Sequence, residues 1–361
     1  MAIITILGAG MMGSALAVPL VDRGHTVRLV GTHLDTEIVE RLERDRFHIK
    51  LALELPSAIE PFHYTELADA TRGATALALG VSSAGIAWAC EQLSPYLWPG
   101  APLFMITKGL ELGADPSGAS RLVTLPDAVK ARLPAELRAS IHPAAVAGPC
   151  IAGELARRVP TCVVLAGRDR PTLEAITALL DQPGYRVVPT TDVVGAEVSA
   201  ALKNAYAMGI AFGTGMHERA GGVAGSVAFH NLESLVMAES ILEMTAIAAA
   251  LGGSPWTVTG LAGVGDLDVT TNGGRTGRFG KHLGRGLTLP QAIEAMQGAT
   301  LECLEILAVL RRAFEAGAIP GLALERVPLL EHMIHVALDG APVDIPISRF
   351  FADELQPGAR A

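Results

Sequence analysis

The stretch IITILGAGMMG, residues 3–13, constrains this chain more than any other. A β-branched run leads directly into Gly8-Ala9-Gly10-Met11-Met12-Gly13, and a helical pattern follows from about Met11 to Arg23. Glycines at this spacing, between a strand and a helix, each have a physical task. One makes the tight turn, one lets the backbone approach a pyrophosphate, and one lets the helix pack closely on the strand. A bound pyrophosphate then rests on free N–H groups at the positive end of the helix. A glycine motif by itself is also compatible with an ordinary turn, and it is the strand–turn–helix context that points to a dinucleotide. Further short apolar runs read as strands: TVRLV (26–30), ALALGV (76–81), PLFMIT (102–107), AAVAG (144–148), TCVVLAG (161–167) and YRVVP (185–189). Helical segments separate several of them, which predicts a doubly wound, mostly parallel α/β sheet covered on both faces.

After Pro189 the pattern changes. From Asp192 onward apolar residues recur at helical spacing, as in EVSAALKNAYAMGIAFG and ECLEILAVLRRAFEAG. The expected organisation is a nucleotide-binding domain over 1–190, an all-α domain over 191–352 and a tail over 353–361. A length of 361 residues suits two domains. The net charge of −9 gives no overall field that would draw nucleic acid or an anionic membrane surface. The apolar N-terminus lacks a basic leader and runs straight into the glycine motif, so it reads as a strand and not as a signal peptide. The other apolar runs are too short or too interrupted to span a membrane. Four cysteines without metal-ligand spacing read as reduced thiols, and a cytoplasmic location is expected.

Several polar groups stand where such a fold places ligands. The second strand ends in LVGTHLD, with Gly31, Thr32 and His33 where an acid for the ribose of NAD is usual; Asp35 lies further on and reads as a helix cap. NAD and NADP both remain open. Lys108, in MITKGLE, follows an apolar strand at the end where open α/β sheets bind ligands, although a surface lysine would look the same. Gly148-Pro149-Cys150 turns out of another strand, either to offer N–H groups to an anion or simply to redirect the chain. The stretch 260–286 sets Asp266, Thr270, Asn272, Arg275, Thr276 and Arg278 among glycines and reads as a loop. Such a loop suits a phosphate bound by guanidinium, and a solvated basic loop is the alternative. Finally, SAALKNAYAMG (199–209) puts Lys203 and Asn204 in the middle of an apolar helix, where an unpaired charge is costly.

Taken together and in order, GAGxxG, ITKGLE, AGPxxAxE, GAExxxALKN and GLAGxGDLxVTT…RxxRFG make the chain resemble the NAD(P)-dependent glycerol-3-phosphate dehydrogenases, from the glycine loop to about residue 310. The resemblance implies a Rossmann domain followed by a helical domain like the C-terminal one of 6-phosphogluconate dehydrogenase, and a homodimer. It also implies reversible hydride transfer between NAD(H) or NADP(H) and a small phosphorylated ketone, which for glycerone phosphate yields sn-glycerol 3-phosphate. By position, Lys203 would be the general acid and base, Asp266 would orient it, and Lys108 and Asn204 would hold substrate oxygens. Arg275 would bind the phosphate beside the cofactor, with Thr276 and Thr270 on the same substrate side. Gly148 and Cys150 match the family's substrate-contacting turn. Gly8, Gly10, Met11, Met12, Gly13, Thr32, Lys108, Ala152, Arg275, Thr300 and Glu302 fall on the cofactor side. The chain departs from the family pattern at Cys150, at Thr276, in GVSS (80–83) and at Glu239, where arginine is common. These departures leave room for another phosphorylated ketose as substrate. A non-enzymatic dinucleotide sensor is a further alternative, against which the retention of Lys203 and Asp266 argues. A relative of ketopantoate reductase also fits the domain plan, but the RTGRFG arginines favour a phosphate.

Overall fold

Strand β1 (Ile3–Leu7) occupies the interior of an eight-stranded sheet, and both of its faces are apolar. Ile4 and Ile6 pack with Val27 and Leu29 in one core cluster. Leu7 joins Val30, Leu77 and Leu79 in the other. This alternation is what a sheet covered on both sides demands. In this computed structural model, which describes residues 1–115, 117–224 and 229–351, the strands continue as β2 (Thr26–Val30), a small hairpin of β3 (Phe47–His48) and β4 (Leu53–Glu54), β5 (Ile59–Phe62) and β6 (Ala76–Leu79). They are followed by β7 (Leu103–Met105), a second hairpin of β8 (Leu110–Ala114) and β9 (Ser120–Thr124), β10 (Ala144–Ala147), β11 (Thr161–Ala166) and β12 (Tyr185–Thr190).

The main sheet runs β12-β11-β10-β7-β6-β1-β2-β5, and all of its pairings are parallel except β10 with β11. The doubly wound reading is therefore correct. The sequence reading lacks β5, whose four residues IEPF include a proline. That strand lies at the sheet edge, where Pro61 needs no outward N–H donor.

The chain forms two compact units, Met1–Gly109 with Thr124–Glu197, and Leu110–Val123 with Val198–Ala361. The hairpin of β8 and β9 groups with the second unit, where β8 packs on the helix Glu302–Glu315. The expected tail over 353–361 lies outside the described residues. Among the described residues no helix is long and apolar enough to cross a membrane.

In the second unit the helix Val193–Arg219 packs against the helix Arg275–Gly284 at backbone distance. A Cβ on Gly280 would sit 2.2 Å from the Met208 carbonyl oxygen, one on Gly284 2.3 Å from that of Phe212, and one on Gly215 2.2 Å from that of Lys281. Gly280 and Gly284 thus have a packing function, and the stretch 260–286 is not the loop its composition suggests. It folds as a π-helical turn (Leu261–Gly265) and two helices, Asp266–Gly273 and Arg275–Gly284. A second tie is Glu243, which is buried on the helix His230–Ala250. It accepts the Tyr206 hydroxyl at 2.9 Å and the Leu329 and Leu330 N–H groups at 2.7 and 2.9 Å, so one carboxyl joins three helices. Glu239, one turn earlier, accepts the Phe351 N–H at 3.2 Å.

Replacing Gly280 with Ala forces the two helices apart. The expected loss is about 1–3 kcal/mol, seen as a melting temperature lower by several degrees. An unchanged melting curve would show that the helix contact is dispensable.

Candidate active site

The glycine loop is shaped as its sequence requires. Gly8 has φ +121°, and a Cβ there would lie 2.5 Å from the carbonyl carbon of Gly80 on the neighbouring strand end. A Cβ on Gly13 would lie 2.0 Å from the Gly8 oxygen. Gly10 differs, since nothing lies within 4 Å of where its Cβ would be. Gly10 precedes the helix Met11–Asp22, whose first-turn N–H groups have no acceptor inside the helix. Two glycines are therefore demanded by the fold, and the third leaves space for an approaching group. A dinucleotide pyrophosphate fits that arrangement.

At the end of β2, the Asp35 side chain does not cap the helix it precedes. Its carboxylate turns back to accept the Thr32 N–H at 2.9 Å and the Thr32 hydroxyl at 2.8 Å. The capping expected from the sequence is replaced by this small turn. Beside it, His33, Tyr64 and Trp88 meet edge to face, with His33 5.4 Å from Trp88 between ring centroids. The sequence reading did not select Tyr64 and Trp88, because they are distant from His33 along the chain.

Lys108 and Gly148, chosen separately from the sequence, are neighbours: the Lys108 ammonium donates to the Gly148 carbonyl at 3.5 Å. Gly148 has φ +115° where the chain leaves β10. Cys150 is half-buried against the core, and Ala152 is buried at the start of a short helix. The same unit holds Glu197, a fully buried carboxyl that sequence reading passed over. Burial pushes it up to about 8, against the opposing pull of the Leu125 N–H and the Lys108 charge. Its sequence signal is a lone glutamate among alanine and valine at the start of the helix Val193–Arg219.

The second unit assembles another group. Lys203 and Asp266 are 63 positions apart in sequence, yet the ammonium bonds directly to the carboxylate, with side-chain exposures of 10% and 1%. Asp266 opens its helix immediately after the π-helical turn, and Thr270 donates back to the Asp266 carbonyl at 2.6 Å. Asn204, next to Lys203, is more accessible than its neighbours on the helix. Arg275 and Glu302 form a half-exposed ion pair at 3.2 Å. Thr300 is exposed just ahead of Glu302. Thr276 is buried, with its hydroxyl in hydrogen-bonding reach of the Cys303 thiol, which burial pushes up to about 12.

The arrangement is chemically specific. A buried ammonium held by one carboxylate can deliver a proton to a neighbouring oxygen and take it back. An arginine at a helix start suits a phosphate.

Two outcomes test these geometries. Gly10→Val is expected to weaken NAD(P)H binding at least about ten-fold at an unchanged melting temperature, whereas Gly13→Ala lowers the melting temperature itself. Equal thermal losses in both variants would contradict the open position of Gly10. Asp266→Leu alone leaves Lys203 buried without its carboxylate and is expected to cost about 3–5 kcal/mol in urea denaturation. The double variant Lys203→Met with Asp266→Leu should recover most of that loss.

Comparison with known proteins identifies the family. The NAD-dependent glycerol-3-phosphate dehydrogenase N-terminus model matches residues 3–172, and the corresponding C-terminus model matches residues 192–347. The NADP(+)-dependent glycerol-3-phosphate dehydrogenase of Archaeoglobus fulgidus is 37% identical over 82% of this chain and 84% of its own length. The NAD(P)+ enzyme of Desulfitobacterium hafniense is 34% identical over 81% and 77%. The crystal structure of the Coxiella burnetii glycerol-3-phosphate dehydrogenase covers 99% of both chains with a TM-score of 0.76, at 23% identity, and so shares the fold. With both domains matched in order, this chain belongs to the NAD-dependent glycerol-3-phosphate dehydrogenase family and is an NAD(P)-dependent oxidoreductase.

Proposed function

We propose that this chain reduces glycerone phosphate reversibly to sn-glycerol 3-phosphate, with Lys203 as proton donor in reduction and proton acceptor in oxidation. The observation that carries the reading is the buried Lys203–Asp266 pair in a chain of this family. NAD(P)H, when bound at the glycine loop, supplies the hydride to the carbonyl carbon. Lys203 transfers one proton to the carbonyl oxygen as negative charge develops there, so hydride and proton together make the secondary alcohol. Asp266 holds the Lys203 ammonium in place and balances its charge. Asn204 and Lys108 donate to substrate oxygens, and Gly148 and Cys150 line the same turn. Arg275, with Thr270 and Thr276 behind it, takes the phosphate. Arg275 exchanges its Glu302 contact for that anion, leaving Glu302, Thr300 and Ala152 to the cofactor.

Asp35 is the acid nearest in sequence to the end of β2, and it is bonded to Thr32. That arrangement places no free carboxylate against a 2′-phosphate and supports use of NADPH as well as NADH. The Archaeoglobus fulgidus relative is named for NADP(+). A cytoplasmic location and a homodimer built through the helical unit complete the proposal.

The test is oxidation of NADH and NADPH with glycerone phosphate and with a panel of longer ketose phosphates. Glycerone phosphate is expected to be turned over, and Lys203→Met should lower kcat by roughly 10²–10⁴-fold with cofactor binding retained. Near wild-type turnover in that variant would remove Lys203 from the mechanism. Turnover of a longer ketose phosphate with none of glycerone phosphate would move the substrate assignment.

A further inference from the structure

The hairpin of β3 and β4 interrupts the alternation of strand and helix between the helix Thr36–Asp45 and β5, and it carries a polar ring into the core. His48 is fully buried. The hairpin closes without that ring: the Ala52 N–H donates to the His48 carbonyl at 2.9 Å, and the Leu55 N–H to that of Arg46 at 2.9 Å. The imidazole bonds elsewhere. Its Nδ1 stands 3.0 Å from the Leu51 nitrogen, and its Nε2 stands 3.1 Å from the Ala9 carbonyl oxygen, inside the glycine loop. A backbone N–H can only donate, so Nδ1 is the acceptor and the ring proton sits on Nε2, which donates to Ala9. Burial lowers the pKa of the imidazole and so favours this neutral form. The Ser14 hydroxyl donates to the same Ala9 oxygen at 3.0 Å. Two side chains, one of them from outside the loop and its helix, thus hold a single carbonyl of the loop.

Fixing a carbonyl also fixes the N–H that follows it. In a trans peptide the two point in opposite directions, and no described peptide bond is cis. With the Ala9 oxygen drawn toward His48 and Ser14, the Gly10 N–H faces away from them, at the start of the helix Met11–Asp22. We propose that His48 is a positioning residue for the cofactor: by holding the Ala9 carbonyl, it keeps the Gly10 N–H and the first turn of that helix aimed at the pyrophosphate of NAD(P)H. The inference rests on the reading of the glycine loop as the pyrophosphate site. A donor held in place before the ligand arrives loses less freedom on binding, so the contribution falls on cofactor affinity. Nothing in this role touches the reacting atoms, so turnover at saturating cofactor stays the same.

Two variants separate the ring from its donor. His48→Phe keeps an aromatic ring in the core and removes the donor, whereas His48→Gln returns an amide N–H near the place of Nε2. Fluorescence titration with NADPH and NADH should give a Kd raised about ten-fold in His48→Phe and within about three-fold of wild type in His48→Gln. KM for NADPH, with glycerone phosphate as co-substrate, should rise in parallel while kcat is unchanged. A purely structural role would lower the melting temperature and the active fraction, and hence kcat, with Kd left alone. Ser14→Ala, a smaller change at the same carbonyl, should raise Kd about three-fold and supplies the test if His48→Phe does not fold.

A wild-type Kd in His48→Phe, or in Ser14→Ala where His48→Phe does not fold, overturns the inference and leaves the assigned reaction standing. A wild-type Kd in Gly10→Val removes the glycine loop from cofactor binding, and this inference with it. Wild-type protein that binds NADPH without turning over glycerone phosphate overturns the assigned reaction, and the Kd comparison still decides the role of His48.

Discussion

The buried contact between Lys203 and Asp266 is the constraint on which the helical unit is arranged. Taking two charges out of water is costly, and their attraction recovers the cost only when they meet closely and their remaining groups are satisfied. The unit contains the features that closeness requires. A π-helical turn places Asp266 at the first position of its helix, and Gly263 allows that turn to pass under the Val258 carbonyl. Gly280 and Gly284 let the following helix lie against the backbone of Met208 and Phe212, a turn or two beyond Lys203. Glu243 then fixes the same long helix through Tyr206 while holding the first N–H groups of the helix Pro328–Asp339.

The dinucleotide-binding unit solves a different problem, which is how to bring backbone close to a ligand without losing the sheet. Gly8 and Gly13 are committed to contacts with Gly80 and with each other's backbone, and Gly10 alone keeps open space on its side-chain face. The end of β2 shows the same economy. Thr32 and Asp35 satisfy one another, and beside them the His33, Tyr64 and Trp88 rings meet edge to face.

Two buried glutamates show how partners decide what similar burial does. Glu197 and Glu243 are both pushed up to about 8 by loss of water. Glu243 uses both oxygens on a tyrosine and two backbone donors, and it serves as a joint between helices. Glu197 uses one oxygen on the single backbone donor of Leu125. One carboxyl has both oxygens hydrogen-bonded, and the other has one oxygen buried without a partner among the described residues.

The strands around the glycine loop were legible in the sequence because β-branched runs and a glycine turn are local signals, strong enough to place β1, β2, β6, β7 and β10 to β12. Edge strand β5 was not, since IEPF resembles a loop until a sheet edge makes its proline acceptable. The glycines of 260–286 were legible as glycines but not in their purpose. A composition that suggests a phosphate loop proved to include, at Gly280 and Gly284, the contact surface of two helices, because close approach of two backbones depends on a partner that sequence does not show. The sequence by itself determined the order of an α/β sheet followed by helices, the strand–glycine turn–helix of residues 3–23 and the residue types of the proposed chemistry. It did not determine that the hairpin within 110–123 groups with the second unit. Only the tertiary structure decided that Lys203 meets Asp266, that Lys108 meets Gly148, that Thr276 faces Cys303 and that Glu197 meets the Leu125 N–H. Each of those pairings joins residues distant along the chain, and burial and charge partnership exist only once folding has brought such residues together.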